Sequence, residues 1–70
     1  MTGSEFILKL RKLAKANGTE CRVESNRGKG GHQTIHYGGR RTTVPDLKKE
    51  IKPGLLNGLC RQLGIDKDDL

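Results

Sequence analysis

The sequence predicts one small α+β domain of order α-β-β-β-α, a three-stranded antiparallel sheet with two helices on one face. Three patterns carry this. Apolar residues recur at helical spacing through residues 4–17 and again from Pro53 to Leu63. Between them lie two alternating stretches, one of them folded on Gly38-Gly39. Each helix has a single apolar arc to bury, so both cover the same sheet face and the other face stays in water.

The first helix is expected over residues 4–17, with Ser4 as N-cap and Glu5 at the positive end of the dipole. Phe6, Ile7, Leu10, Leu13 and Ala14 share one arc, with Arg11, Lys12 and Lys15 opposite. Leu8 falls within that basic face. Asn17-Gly18 closes the helix with residues that tolerate left-handed dihedrals. Residues 20–25 alternate as a half-buried strand: Cys21 and Val23 point one way, Glu20, Arg22 and Glu24 the other.

Residues 32–45 read as a hairpin on a two-residue Gly-Gly turn. The turn sets Tyr37 opposite Arg40, His36 opposite Arg41, Ile35 opposite Thr42 and Gln33 opposite Val44. Tyr37, Ile35 and Val44 then share a face with Gln33 and Thr42; His32, Thr34, His36, Arg41 and Thr43 take the other. Both strands agree on the buried face, which supports the register. Residues 46–52 are a charged connector, and Pro53 suits the first position of the second helix. Leu55, Leu56, Leu59, Cys60 and Leu63 form its apolar arc, and Gly64-Ile65 its Schellman stop. The domain is expected over residues 1–65, with 66–70 a frayed acidic tail.

Seventy residues bury only about 60% of the surface exposed by the unfolded chain. Phe6 and Tyr37 are the only aromatics, so stability at the low end of ~5–15 kcal/mol is expected. Lysines and arginines number 14 against 8 acids. Three of the acids lie in residues 66–70, which leaves residues 1–65 with 13 basic and 5 acidic side chains, or +8. A field of that sign attracts polyanions, nucleic acid above all. No apolar run approaches the ~20 residues of a membrane span, so a cytoplasmic chain is expected. Cys21 and Cys60, 39 positions apart, read as reduced core thiols, with a disulfide as the alternative. The cysteine and histidine spacing matches no familiar zinc site, and neither metal nor cofactor is expected.

Catalytic candidates are few. Both cysteines lie on apolar faces, and the acids cluster away from the glycine loop. His32 directly follows Gly28-Lys29-Gly30-Gly31, three glycines in four residues. Imidazole moves protons near neutral pH, and Lys29 with backbone N–H groups of the loop could hold a phosphate. RNA supplies its own nucleophile, the 2′-hydroxyl. A lone histidine also fits an ordinary exposed strand start, and the residues by themselves leave both readings open. His36 lies on the same face but roughly 13 Å along the strand, too far for an acid/base pair on one phosphodiester. It is expected to pair with Arg41, as a surface contact or an RNA contact. The glycine run is not a P-loop, because it lacks the GxxxxGK spacing and precedes a strand.

The stretch from Gly28 to Ile65 resembles the HicA toxin family. The resemblance rests on Gly28-Lys29-Gly30-Gly31-His32, on Gly38-Gly39-Arg40-Arg41-Thr42-Thr43-Val44-Pro45, on Glu50-Ile51-Lys52-Pro53-Gly54-Leu55-Leu56 and on Arg61-Gln62-Leu63-Gly64-Ile65. It implies a ribonuclease toxin of double-stranded-RNA-binding-like fold that cleaves messenger RNA and is neutralised by a HicB antitoxin. The family's catalytic histidine, in a Gly-Ser-His motif, falls on His32. The chain departs from the family in having Gly31 for that serine. It also has Asp46 where many members carry a second histidine shortly after Val-Pro.

The resulting expectation is an endoribonuclease with His32 as general base or acid. Lys29 and the amides of Gly28, Gly30 and Gly31 would stabilise charge at phosphorus. Arg22, Arg41, His36, Arg11, Lys12 and Lys15 would hold the RNA, read through shape and phosphates. Leu8, Arg11, Lys12, Lys15 and His32 would face a HicB-like antitoxin, although a singly exposed leucine is common. The alternative is a non-catalytic RNA-binding module of the same fold.

Overall fold

The computed structural model describes residues 1–25 and 32–70. Helix α1 spans Gly3–Asn17, and its N-cap is Thr2, not Ser4. The reason is reciprocal bonding. The Thr2 hydroxyl accepts from the Glu5 amide at 3.2 Å, and the Glu5 carboxylate accepts from the Thr2 amide at 3.0 Å. This capping box satisfies two orphan donors at once. Ser4, inside the first turn, instead donates to the Leu47 carbonyl. Gly18 ends the helix at φ 65°, with the Thr19 amide bonded back to Ala14.

Strands β1 (Cys21–Ser25), β2 (Gln33–Tyr37) and β3 (Arg40–Val44) form an antiparallel sheet in that order. The hairpin register is the expected one, from Tyr37 opposite Arg40 to Gln33 opposite Val44. Gly38 takes φ 61°, and Gly39 has no positive φ, the sign pattern of a II′ turn. Alternation then decides burial. Ile35, Tyr37, Thr42 and Val44 point into the core, while Arg41 and Thr43 stay exposed.

Helix α2 spans Pro53–Leu63 with proline at its first turn. Gly64 closes it at φ 72°, and the Ile65 amide returns to the Cys60 carbonyl at 3.0 Å, the expected Schellman stop. Helix α1 lies over β1 and β2, and α2 lies over β3. Phe6, Leu10, Ile35 and Val44 are fully enclosed between the layers. Each such side chain contributes about 1.5–3 kcal/mol by leaving water. Thr42 is the one buried polar side chain among the described residues, and its hydroxyl donates to Gln62 Oε1 of α2, tying the second layer to the sheet.

Three further expectations change. Leu55 does not join the buried arc of α2; it is 42% exposed, because α2 turns Leu59, Cys60 and Leu63 to the sheet. The connector is more than charged spacer, since Ile51 is buried and its amide donates to the Met1 carbonyl. The acidic tail is not frayed. Lys67–Asp69 form a short 3-10 helix capped by Asp66, and Leu70 packs against the core.

Candidate functional site

His32 is exposed and stands one residue before β2. No hydrogen bond or ion pair holds its ring among the described residues. It lines a cavity of about 390 Å³ with Pro45, Asp46, Lys49, Glu50 and Lys52, closed below by Ile51 and Leu55. The walls follow from the chain path. Pro45 ends β3, and the Asp46 carboxylate accepts the Lys48 amide at 2.8 Å, turning the connector. Ile51 returns the connector to the core, and Pro53 starts α2. The connector has no periodicity that singles out Lys49 and Lys52. The signal available was the Lys-Lys-Glu-Ile-Lys run just beyond the hairpin's Val44-Pro45 end.

The open face carries a cross-strand row of Arg22, His36 and Arg41, set side by side by the two registers. His36 stands opposite Arg41 as expected, and its ring also approaches the neighbouring strand. Its Nε2 lies 3.1 Å from Glu24 Oε1 on β1, at ion-pair distance but off the hydrogen-bond axis. Glu24 follows Arg22 by two residues on the same face, and the Arg22 guanidinium approaches the same oxygen at 3.3 Å. Arg41 has no ion partner among the described residues.

Arg11, Lys12 and Lys15 are exposed on the outer side of α1. Both layers of the fold therefore stand between them and the Arg22–His36–Arg41 row. Leu8 is 60% exposed and lines a cleft of about 280 Å³ with Ile7, Arg11, Val23, Gln33 and Leu47. Asp46 borders the His32 cavity and the next residue, Leu47, borders this cleft, so the two are adjacent along the connector. Gly28, Lys29, Gly30 and Gly31 lie outside the described residues.

A roomier hollow of about 580 Å³ lies between β3 and α2, lined by Arg41, Thr43, Leu55 and Gln62 among others. Among the described residues no histidine or acid lines it. Both thiols are free. Burial raises the pKa of each, which keeps them as thiols and poor nucleophiles. Among the described residues no three metal-binding side chains cluster, and no helix is long and apolar enough to cross a membrane.

Residues 7–65 match the profile of the family described as HicA toxin of bacterial toxin-antitoxin. No curated protein and no solved structure matches the chain.

Proposed function

The chain belongs to the HicA toxin family of bacterial toxin–antitoxin systems, and from that membership we propose that it is an endoribonuclease that cleaves messenger RNA in the cytoplasm with His32. The observation that carries this is the placement of His32: an exposed imidazole, free of internal partners among the described residues, on the wall of a cavity beside a basic sheet face.

The RNA 2′-oxygen attacks the adjacent phosphorus as it loses its proton. The bond from phosphorus to the 5′-oxygen breaks, and that oxygen gains a proton. The products are a 2′,3′-cyclic phosphate and a 5′-hydroxyl. His32 performs one of the two proton transfers and water the other. Arg22 and Arg41 flank His36 on the open face and hold the RNA backbone. Lys29 and the amides of Gly28, Gly30 and Gly31 directly precede His32 in sequence and add phosphate contacts.

The chain's antitoxin is a HicB-like protein that covers Leu8, Arg11, Lys12 and Lys15 and reaches His32. The adjacency of the Leu8 cleft and the His32 cavity supports one partner spanning both. Incubation with an RNA oligonucleotide and its fully 2′-deoxy counterpart tests the chemistry. The RNA is expected to yield cyclic-phosphate ends and the deoxy strand to survive. Intact RNA that is nevertheless bound would make the protein a binding module instead.

A further inference from the structure

We propose that Lys49 and Lys52 are the phosphate-holding half of the His32 site, gripping the non-bridging oxygens of the RNA phosphodiester; the assignment rests on the ribonuclease reading above. Both lysines line the His32 cavity, and both are exposed. Two carboxylates share that wall, and each is already engaged. Glu50 pairs with the Met1 amine, and Asp46 accepts the Lys48 amide. Lys49 and Lys52 have no ion partner among the described residues. With Glu50 offset by the amine, the cavity presents two ammonium groups against one carboxylate.

The backbone beneath these side chains is fixed. The Lys49 carbonyl accepts the Gly3 amide at 3.3 Å, and Ile51, between the two lysines, is buried and bonded to Met1. Lys52 is the N-cap of α2, followed by the fixed φ of Pro53. Two long donors thus rise from rigid anchors beside the proton carrier. Negative charge on the non-bridging oxygens grows as the 2′-oxygen bonds to phosphorus, so placed ammonium groups favour the transition state over the bound substrate. Lysine suits this as a compact charge on a flexible stem.

The test is Lys49→Gln/Lys52→Gln, compared with Lys9→Gln/Lys67→Gln, which removes the same charge from exposed positions outside the cavity. RNA affinity is measured by fluorescence anisotropy between 50 and 200 mM salt in the His32→Ala background, and cleavage in the active one. The cavity pair is expected to reduce the slope of log K against log salt by about 1.4–1.8, two phosphate contacts' worth. It is expected to lower kcat/KM by at least ~10-fold, a partly screened version of losing a placed donor. The control pair stays within ~2-fold in rate. If the cavity pair behaves like the control while the parent cleaves RNA, the assignment fails and the ribonuclease reading stands. If the parent binds but does not cleave, a slope change still upholds the phosphate contacts while the ribonuclease reading falls. Loss of antitoxin affinity with unchanged RNA slope overturns the assignment in favour of a protein contact, and absence of RNA binding overturns both.

Discussion

Gly3 packs directly on the backbone of Asp46: a β-carbon at Gly3 would meet the Asp46 carbonyl oxygen at 2.6 Å. It would also meet Leu47 Cα and Val44 Cγ1, each at 2.9 Å. The Ser4 amide donates to the Leu47 carbonyl at 3.0 Å. The first turn of α1 therefore rests on the chain segment that forms one wall of the His32 cavity.

Gly3→Ala is accordingly expected to destabilise by about 1–3 kcal/mol, the usual range for overpacking. At roughly 4–8 °C per kcal/mol for a domain of this size, the melting temperature falls by about 5–20 °C. Gly58→Ala is the contrast, since its new methyl meets no atom within 4 Å in the middle of α2. There the gain in helix propensity, about 0.5–1 kcal/mol, raises the midpoint. Melts followed by circular dichroism decide; a Gly3→Ala variant as stable as the parent removes the close-contact argument.

The capping box carries a pH signature. The Thr2 backbone N–H, and then the Thr2 side chain, hold the Glu5 carboxyl below its ordinary value of 4.5. Folding thus favours the charged carboxylate. Its stabilising contribution is complete above pH 4.5 and is lost as pH falls through the depressed folded value. Thermal midpoints between pH 7 and pH 3 should drop less steeply for Glu5→Gln than for the parent. Parallel curves would show that Glu5 makes no such contribution.

The strand register and both helix stops were legible because glycines mark them locally: Gly38-Gly39 pins the hairpin, and Gly18 and Gly64 end the helices. The Thr2-x-x-Glu5 box was equally present, but a good N-cap at Ser4 competed with it, and only the reciprocal bonds decide. Ile51 and Leu70 resisted reading because their burial depends on contacts far away in sequence, Met1 for one and the core between layers for the other. The same long-range closure brings Lys49 and Lys52 to His32. Alternation assigns Arg22 and Arg41 to the open sheet face, and helical period assigns Arg11, Lys12 and Lys15 to the outer side of α1. Once both helices lie on the sheet's other face, these cations cannot act as one surface.

Leu8 separates the partner surface from the RNA surface. It is expected that Leu8→Ser weakens antitoxin binding while leaving RNA cleavage unchanged, since Leu8 lies on the helix layer and outside the His32 cavity. Loss of a buried leucine contact is worth about 1.5–3 kcal/mol, or roughly 10- to 100-fold in Kd. Titration calorimetry of parent and variant against the antitoxin measures this. Equal affinities would take Leu8 out of the interface.

The two histidines provide the sharpest discrimination. His32→Ala is expected to lower the cleavage rate by ~10²–10⁴, the usual loss with a proton-transfer group. Its folding stability should change by no more than about 0.5 kcal/mol, because an exposed side chain leaves no cavity. His36 sits roughly 13 Å along the strand from His32, with its Nε2 beside Glu24. His36→Ala should therefore keep the rate at saturating RNA within a few-fold, with any loss confined to affinity. Single-turnover cleavage at saturating protein separates the two effects, and melting curves guard against misfolding. An inactive His36→Ala beside an active His32→Ala would move the chemistry to the open-face row, where Glu24 would become the group that orients the imidazole. If both variants cleave like the parent, no histidine carries the reaction, and the His32 cavity becomes a binding feature alone.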